Sequence, residues 1–163
     1  MCGIVGYIGR ERAGSIMIDG LKRLEYRGYD SSGLVVRMPH GFDQVRRTGR
    51  VAELEAALSE PQLGGNLGIS HTRWATHGVP SEANAHPHQS GRFSVVHNGI
   101  IENYQALRAQ LEAHGYVFQS QTDTEAVAHL LANEAQAHAG DFDTTVKAVL
   151  GQLAGAYALA ILD

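Results

Sequence analysis

The sequence contains a single cysteine, Cys2, among its 163 residues. One cysteine excludes an internal disulfide, and a thiol used for chemistry requires reducing conditions, so we expect a cytoplasmic protein. Long hydrophobic runs are also absent from the sequence, and the short apolar stretch near the N-terminus is followed rather than preceded by basic residues. The sequence therefore predicts neither a membrane-spanning segment nor an export signal.

Positive charge is scarce as well. The formal net charge is −4, and the one basic cluster in the sequence consists of Arg46, Arg47 and Arg50. Binding to a nucleic-acid backbone usually requires a basic face, so we expect no nucleic-acid partner. The sequence has no phosphate-binding glycine loop of the Walker type. Its length and its 44% hydrophobic content suffice for one domain, residues 1–163, that folds without a metal or a disulfide.

Hydrophobic periodicity alternates between short strands and helices along the chain. Hairpins and paired helices follow one another in blocks, which favours an α+β fold with antiparallel sheets over a doubly wound parallel sheet. Local patterns predict a strand over 116–119, a capping box of Thr122 and Glu125 at the start of a long helix, and Asp143 as the cap of the next helix. The sequence stops directly after an apolar strand at 157–161. We therefore expect a C-terminally truncated part of a longer protein.

Cys2 directly follows the initiator methionine. A small side chain at this position favours removal of Met1, which leaves Cys2 with both a thiol and a free α-amine. Reference pKa values of about 8.5 for a thiol and about 8 for an α-amine allow the amine to accept the thiol proton near neutral pH. The alternative is that Cys2 is a small hydrophobic residue at the start of a strand. Glycines at Gly3, Gly6 and Gly9 allow other groups to approach closely and favour the first interpretation.

The dipeptide Asn98-Gly99 follows a predicted strand at 93–97. Asn-Gly is the strongest short hairpin signal, but the sequence that follows leads into a helix rather than a second strand. The other interpretation is that the Asn98 side-chain amide and the Gly99 backbone N–H converge on one point and form an oxyanion hole. The residues alone leave these two interpretations about evenly balanced.

Three further residues suggest recognition of an amino acid. Arg73 can bind a carboxylate through two parallel hydrogen bonds, and the adjacent Trp74 can cover a small ligand and exclude water from it. Asp123, at the predicted start of a helix, can bind an ammonium group. The alternatives are an ordinary surface arginine and an acidic residue that only caps a helix and complements its dipole. The spacing does not show whether Arg73 and Asp123 meet.

The chain has nine histidines, five of them between positions 71 and 97. The pair His86 and His88 lacks the one-turn helical spacing of common zinc sites, and no second cysteine is available as a ligand. We therefore expect structural or substrate-contact roles for the histidines and no bound metal or cofactor. A zinc-binding histidine-rich domain is the alternative.

Six segments of the sequence together resemble one family closely. They are residues 2–6 (CGIVG), 24–31 (LEYRGYDS), 71–78 (HTRWATHG), 84–88 (NAHPH), 96–103 (VHNGIIEN) and 122–125 (TDTE). This combination resembles the glutaminase domain of the glucosamine-6-phosphate synthase family, a class II glutamine amidotransferase domain with an N-terminal nucleophile. Amidophosphoribosyltransferases share the opening cysteine and an Asn-Gly pair but typically differ in the third and fourth segments.

The resemblance implies a four-layer αββα sandwich of two antiparallel sheets, and hydrolysis of glutamine to glutamate and ammonia. It implies that Cys2 is the nucleophile, acting through a γ-glutamyl thioester, and that Asn98 and Gly99 form the oxyanion hole. Arg27 is similar to an arginine that supports the surroundings of the nucleophile. The residues that the resemblance assigns to glutamine binding are Arg73 at the α-carboxylate, Asp123 at the α-amine, and Trp74, Thr76 and His77 around the pocket.

The same resemblance implies partners outside this sequence. The ammonia is expected to pass to a sugar-phosphate isomerase domain that binds fructose 6-phosphate, within a homo-oligomeric full-length enzyme of hexosamine biosynthesis. Two alternatives to this function stay open. One is an inactive glutamine-binding fragment, either because Met1 is retained or because the fold is incomplete. The other is the glutaminase domain of an amidophosphoribosyltransferase-like enzyme.

Overall fold

The computed structural model of the protein describes residues 2–59, 64–75 and 78–163. The strands are β1 (Gly3–Ile8), β2 (Ser31–Met38), β3 (Gly41–Thr48), β4 (Leu67–Arg73), β5 (His88–Ser90), β6 (Phe93–Gly99) and β7 (Tyr157–Leu162). The α-helices are α1 (Ala13–Leu24), α2 (Val51–Ala56), α3 (Tyr104–Ala113), α4 (Asp123–Ala137) and α5 (Phe142–Leu150). Within the described ranges, no helix is both long and apolar enough to cross a membrane.

The strands form two antiparallel sheets that pack face to face. The first sheet has the order β1-β4-β2-β3, and the second has the order β5-β6-β7. Helices α1 and α2 cover the outer face of the first sheet, whereas α3, α4 and α5 cover the outer face of the second. The inner faces meet in an apolar cluster that includes Val35, Ile69, Val96 and Leu162. The predicted α+β fold and its αββα layers are therefore confirmed.

Side-chain alternation along the central strands produces these layers. In β2, Leu34 and Val36 pack against the helices of their own side, while Val35 between them packs against the second sheet. In β6, Val95 faces α4 and Val96 faces the first sheet. Successive side chains of a strand point to opposite faces, so a strand buried on both faces is apolar at consecutive positions.

The predicted strand at 116–119 and the predicted capping box are both wrong, for one physical reason. The carboxylate of Glu125 accepts hydrogen bonds from the backbone N–H groups of Gln119 and Ser120, at 2.8 and 2.7 Å. Gln119 and Ser120 are therefore bonded to a helix side chain and not to a neighbouring strand, and residues 116–119 are irregular. These two hydrogen bonds also occupy the carboxylate that a capping box needs, and Thr122 makes no capping hydrogen bond with its side chain.

Two other local predictions can be compared with the structure. Helix α5 is capped by Asp141, whose Oδ2 accepts a hydrogen bond from the Thr144 N–H at 2.8 Å, so the predicted cap at Asp143 is wrong by two residues. The strand predicted at 157–161 is confirmed as β7. Its neighbour in the second sheet, β6, lies between β7 and β5.

Gly33 in β2 allows the chain just before β5 to lie directly against the first sheet. A Cβ atom at this position would lie 2.2 Å from the backbone oxygen of His86 and 2.9 Å from that of Val45. Backbone atoms held in sheets or beside them cannot rotate away as a side chain can. The two sheets can therefore approach this closely only with glycine at position 33.

We expect Gly33→Ala to lower the free energy of unfolding by about 1–3 kcal/mol or more, because the new methyl group overpacks the contact. The urea midpoint of the purified chain measures this change. Gly6→Ala in β1 is the matched control, since the nearest atom to its new Cβ, Ile69 Cγ2, is 3.9 Å away. Equal midpoints for the two variants would contradict the close approach at Gly33.

Candidate active site

The candidate site lies where one end of the first sheet meets one end of the second. The start of β1 pairs with the end of β4, with Gly3 opposite Thr72, and this places Cys2 beside the segment that follows β4. The end of β6 closes the other side. Together these elements and the start of α4 surround a cavity of about 510 Å³, a volume typical of small-molecule sites.

The thiol of Cys2 lines this cavity and is held by backbone groups. Its Sγ accepts a hydrogen bond from the Trp74 N–H at 3.1 Å and lies 3.5 Å from the Trp74 carbonyl oxygen. Backbone groups of Trp74 therefore hold the sulfur at a fixed place in a cavity large enough for a small ligand.

Arg73 is buried, with 3% of its surface exposed, so the alternative of an ordinary surface arginine is wrong. Its Nη1 lies 3.3 Å from Asp30 Oδ1, and its Nη2 donates to the Gly78 carbonyl at 3.0 Å. Asp30 also accepts from the Ala75 N–H and donates its own N–H to the Arg73 carbonyl at 2.7 Å. Asp30 thus holds both the guanidinium of Arg73 and the backbone on either side of Trp74.

Trp74 lies at the mouth of the cavity, with 53% of its surface exposed. Its ring covers Gly28, where a Cβ atom would lie 2.0 Å from Trp74 Cζ3. Gly28 has φ of 93°, a conformation that favours glycine, and it ends the 3₁₀ turn Glu25–Arg27. This contact places Trp74 and Arg27 together at the cavity.

Asn98 and Gly99 end β6, which pairs with β5 on one side and β7 on the other. The hairpin interpretation of this dipeptide is therefore wrong, because the strand paired after it is distant in sequence. Gly99 has φ of 114°, and a Cβ atom there would lie 2.2 Å from the Ala156 carbonyl oxygen. Both residues line the cavity.

Asp123 is the first residue of α4, but its carboxylate does not cap that helix. Its Oδ2 accepts a hydrogen bond from the Ile101 N–H at 2.9 Å, and its Oδ1 lies 3.7 Å from His97 Nδ1. A carboxylate accepts up to about four hydrogen bonds, so acceptor capacity remains on the side that lines the cavity.

Seven of the nine predicted site residues line one cavity, although the chain separates them by up to 121 positions between Cys2 and Asp123. They are Cys2, Arg27, Arg73, Trp74, Asn98, Gly99 and Asp123. The other two, Thr76 and His77, lie outside the described residues. The fold therefore brings Arg73 and Asp123 to the same cavity, which the spacing alone could not show.

Two of the histidines for which the sequence predicted structural or substrate-contact roles, His86 and His97, also line the cavity. Both hydrogen-bond the hydroxyl of Thr124 in α4, His86 through Nε2 at 2.6 Å and His97 through Nδ1 at 3.0 Å. Both histidines lie in segments that carry the family resemblance. Hydrophobic periodicity did not indicate toward which side of the chain their side chains point.

Three buried histidines, His71, His86 and His88, are neutral near pH 7. Burial lowers the pKa of His71 to about 4, that of His88 to about 3, and that of His86 well below its usual value. The rings of His71 and His86 are tilted by 37° to each other, with centroids 4.3 Å apart. In the part of the chain that the structure describes, no group of three or more His, Cys, Asp or Glu side chains could hold a metal ion.

The fold is shared with glutamine amidotransferases of known structure. The glutamine phosphoribosylpyrophosphate amidotransferase of B. subtilis, solved with ADP and GMP, superposes with a TM-score of 0.82 at 30% sequence identity. The match covers 99% of this chain and 35% of that one. Fold and cavity thus define the class of the domain.

Sequence comparison places the chain within that class. It matches the model of the glutamine amidotransferase domain over residues 71–163. Proteins named glutamine–fructose-6-phosphate aminotransferase (isomerizing) from Idiomarina loihiensis and Acinetobacter baylyi are 54% and 55% identical to it, over 100% and 99% of this chain. The chain spans about a quarter of the length of these relatives, 27% and 26%. It belongs to the glutamine amidotransferase domain family.

We expect the free energy of unfolding to fall as the pH is lowered from about 7 to about 5. Burial lowers the pKa of His71, His86 and His88 in the folded chain, whereas unfolded histidines titrate near about 6.5. Below that pH the unfolded chain binds more protons, so stability that is fully present above it is lost as the pH falls toward the folded pKa values. Urea midpoints across the range measure this loss.

Replacement of an exposed histidine supplies the control. The side chain of His40 is 65% exposed and lacks the burial that acts on His71, His86 and His88, so His40→Gln should keep the same pH dependence. Burial alone raises the pKa of Glu125, but His129, whose Nε2 lies 3.6 Å away, and hydrogen bonds from Gln119 and Ser120 lower it to about 2, below the range tested. A midpoint that does not change with pH would contradict the neutral, buried state of the histidines.

Proposed function

We propose that this chain hydrolyses glutamine to glutamate and ammonia, with Cys2 as the nucleophile. One observation carries the proposal: a single cavity is lined by the chain's one thiol, a buried arginine and a buried aspartate. In glutamine, the α-carboxylate matches the arginine, the α-ammonium group matches the aspartate, and the side-chain amide matches the thiol. Membership of the glutamine amidotransferase domain family supports the same substrate.

In this proposal the two ends of glutamine are held by opposite charges. Arg73, buried and oriented by Asp30, binds the α-carboxylate, since guanidinium and carboxylate match as a bidentate pair. Asp123, held by the Ile101 N–H, binds the α-ammonium group. With its backbone end fixed in this way, the glutamine side chain extends toward Cys2.

Cys2 then attacks the carbon of the side-chain amide. With Met1 removed, the α-amine of Cys2 accepts the thiol proton and passes it to the departing nitrogen, which leaves as ammonia. The bond that forms is a γ-glutamyl thioester, and the bond that breaks is the amide C–N bond. Water, deprotonated by the same amine, hydrolyses the thioester, releases glutamate and restores the thiol.

The remaining cavity residues support this reaction in the proposal. The Asn98 amide and the Gly99 N–H stabilise the oxyanion that forms during both steps. Trp74, whose ring packs on Gly28, covers the mouth of the cavity. Arg27, the residue before Gly28, also lines the cavity. Thr76 and His77 are proposed to complete the glutamine pocket, on sequence resemblance alone.

The acceptor of the ammonia is proposed from the relatives. The relatives that are 54% and 55% identical over the aligned residues are named for fructose 6-phosphate, whereas the structural neighbour named for phosphoribosylpyrophosphate is 30% identical. We therefore propose that the full-length protein transfers the ammonia to fructose 6-phosphate through a further, sugar-binding domain. We also propose cytoplasmic location and homo-oligomeric assembly for that full-length enzyme.

Intact-mass measurement tests the proposed nucleophile. Purified chain is incubated with diazo-oxo-norleucine, an electrophilic analogue of glutamine that alkylates an activated thiol in a glutamine pocket. We expect loss of the Met1 mass and one adduct on Cys2, and excess glutamine should protect against the adduct. Cys2→Ala should give no adduct and no ammonia release while still binding glutamine.

The other outcomes separate the alternatives. A folded chain without Met1 that forms no adduct would indicate a glutamine-binding domain without catalysis. If Met1 is retained and no adduct forms, the lack of reaction would be due to the α-amine of Cys2, which is then part of the peptide bond to Met1. Loss of glutamine binding in Cys2→Ala would mean that the thiol is structural.

Arg73→Lys should raise the KM for glutamine about 10- to 100-fold with a smaller change in kcat, because a lysine keeps the charge but loses the bidentate pair. Ammonia release by the purified chain measures both constants. Arg47→Lys is the matched control, since Arg47 is a surface residue paired with Glu82. An unchanged KM in Arg73→Lys would remove Arg73 from the glutamine site.

A further inference from the structure

His71 and Asn98 face each other across the two sheets. Ile69 in β4 and Val96 in β6 both point into the inner cluster, and two residues further on, His71 and Asn98 point the same way. His71 Nε2 lies 2.8 Å from Asn98 Oδ1. This is a direct side-chain bridge between the first sheet and a residue assigned above to the oxyanion hole.

The direction of this hydrogen bond follows from the other contact of Asn98. Its Nδ2 lies 3.4 Å from the carbonyl oxygen of Cys2, which can only accept a hydrogen bond. The NH₂ group of Asn98 must therefore face Cys2, and its oxygen must face His71. Because that oxygen also only accepts, Nε2 of His71 carries the proton and donates.

The imidazole of His71 has little freedom to adopt another arrangement. Its surface is 0% exposed, its ring contacts that of His86 at a centroid distance of 4.3 Å, and the residue opposite it in β2 is Gly33. Burial lowers its pKa to about 4, so the ring stays neutral near pH 7 with a single N–H. A fixed, neutral donor of this kind defines which end of the Asn98 amide faces the cavity.

We propose that His71 is a positioning residue for catalysis: by donating Nε2–H to Asn98 Oδ1, it keeps the Asn98 NH₂ group directed at the reacting carbonyl. This inference rests on the proposed glutaminase function and adds a residue that does not line the cavity. Without His71, the Asn98 amide can rotate and present its oxygen to the oxyanion. The two oxygens then repel each other. His71 therefore acts through Asn98 and not on glutamine itself.

A double-mutant cycle tests this dependence, using ammonia release by the purified chain. His71→Leu should lower kcat about 10- to 100-fold, part of the loss expected for a missing oxyanion donor. Its KM should stay within about threefold, because ground-state binding of glutamine does not use the oxyanion. In an Asn98→Ala background, His71→Leu should cost no further activity. Additive losses would overturn the proposal.

A conservative variant and a control separate positioning from general damage. His71→Gln keeps a side-chain N–H donor and should recover most of the activity that His71→Leu loses. The control is His129→Leu. His129 is buried and hydrogen-bonded to Ser90 at 2.8 Å, and it does not line the cavity. The substitution should lower the melting temperature without changing kcat. Equal kcat losses in His71→Leu and His129→Leu would contradict a specific role.

A spectroscopic measurement on the unmutated chain does not depend on whether the variants fold. In ¹⁵N NMR spectra near neutral pH, His71 should be the Nε2–H tautomer, and detection of Nδ1–H would overturn the proposal. Labelling of Cys2 by diazo-oxo-norleucine reports separately on the proposed function. A labelled, active chain whose His71 variants are fully active would remove only the role of His71.

Discussion

The close approach of the two sheets between β4 and β6 is the constraint on which the candidate site depends. It allows His71 on one sheet to reach Asn98 on the other at 2.8 Å, and it requires glycine at Gly33, where the His86 backbone lies against the first sheet. The cavity forms where these two strands end. A wider separation would leave the thiol of Cys2 and the amide of Asn98 in different parts of the molecule.

Polar side chains buried near the cavity form hydrogen bonds with one another. His86 and His97 both bond Thr124 of α4, and His71 bonds Asn98, so a layer of hydrogen-bonded side chains lies on each face of β6 near the cavity. Burial keeps the pKa of His71 low, which favours single, defined tautomers. Such a layer fixes side-chain direction, which is the property that an oxyanion hole requires.

The charged residues of the site are each held by a partner from another part of the fold. Arg73 is paired with Asp30, and Asp123 is held by a backbone N–H, so each is oriented by a partner on a different element from its own. Buried charges need such partners because desolvation without them is costly. The same pairing gives the cavity one cationic and one anionic wall, which suits a zwitterionic amino acid.

The sequence by itself determined the α+β class of the fold, and its resemblance to one family indicated the layers and most residues of the candidate site. Alternating apolar strands and amphipathic helices are local properties, and the motifs around Cys2, Arg73 and Asn98 identify the family. Only the tertiary structure decided which polar groups pair. Glu125 binds backbone N–H groups before Thr122 instead of forming a capping box, and His71 reaches Asn98 across two sheets. Such pairings depend on the distance and direction between elements, which no local pattern encodes.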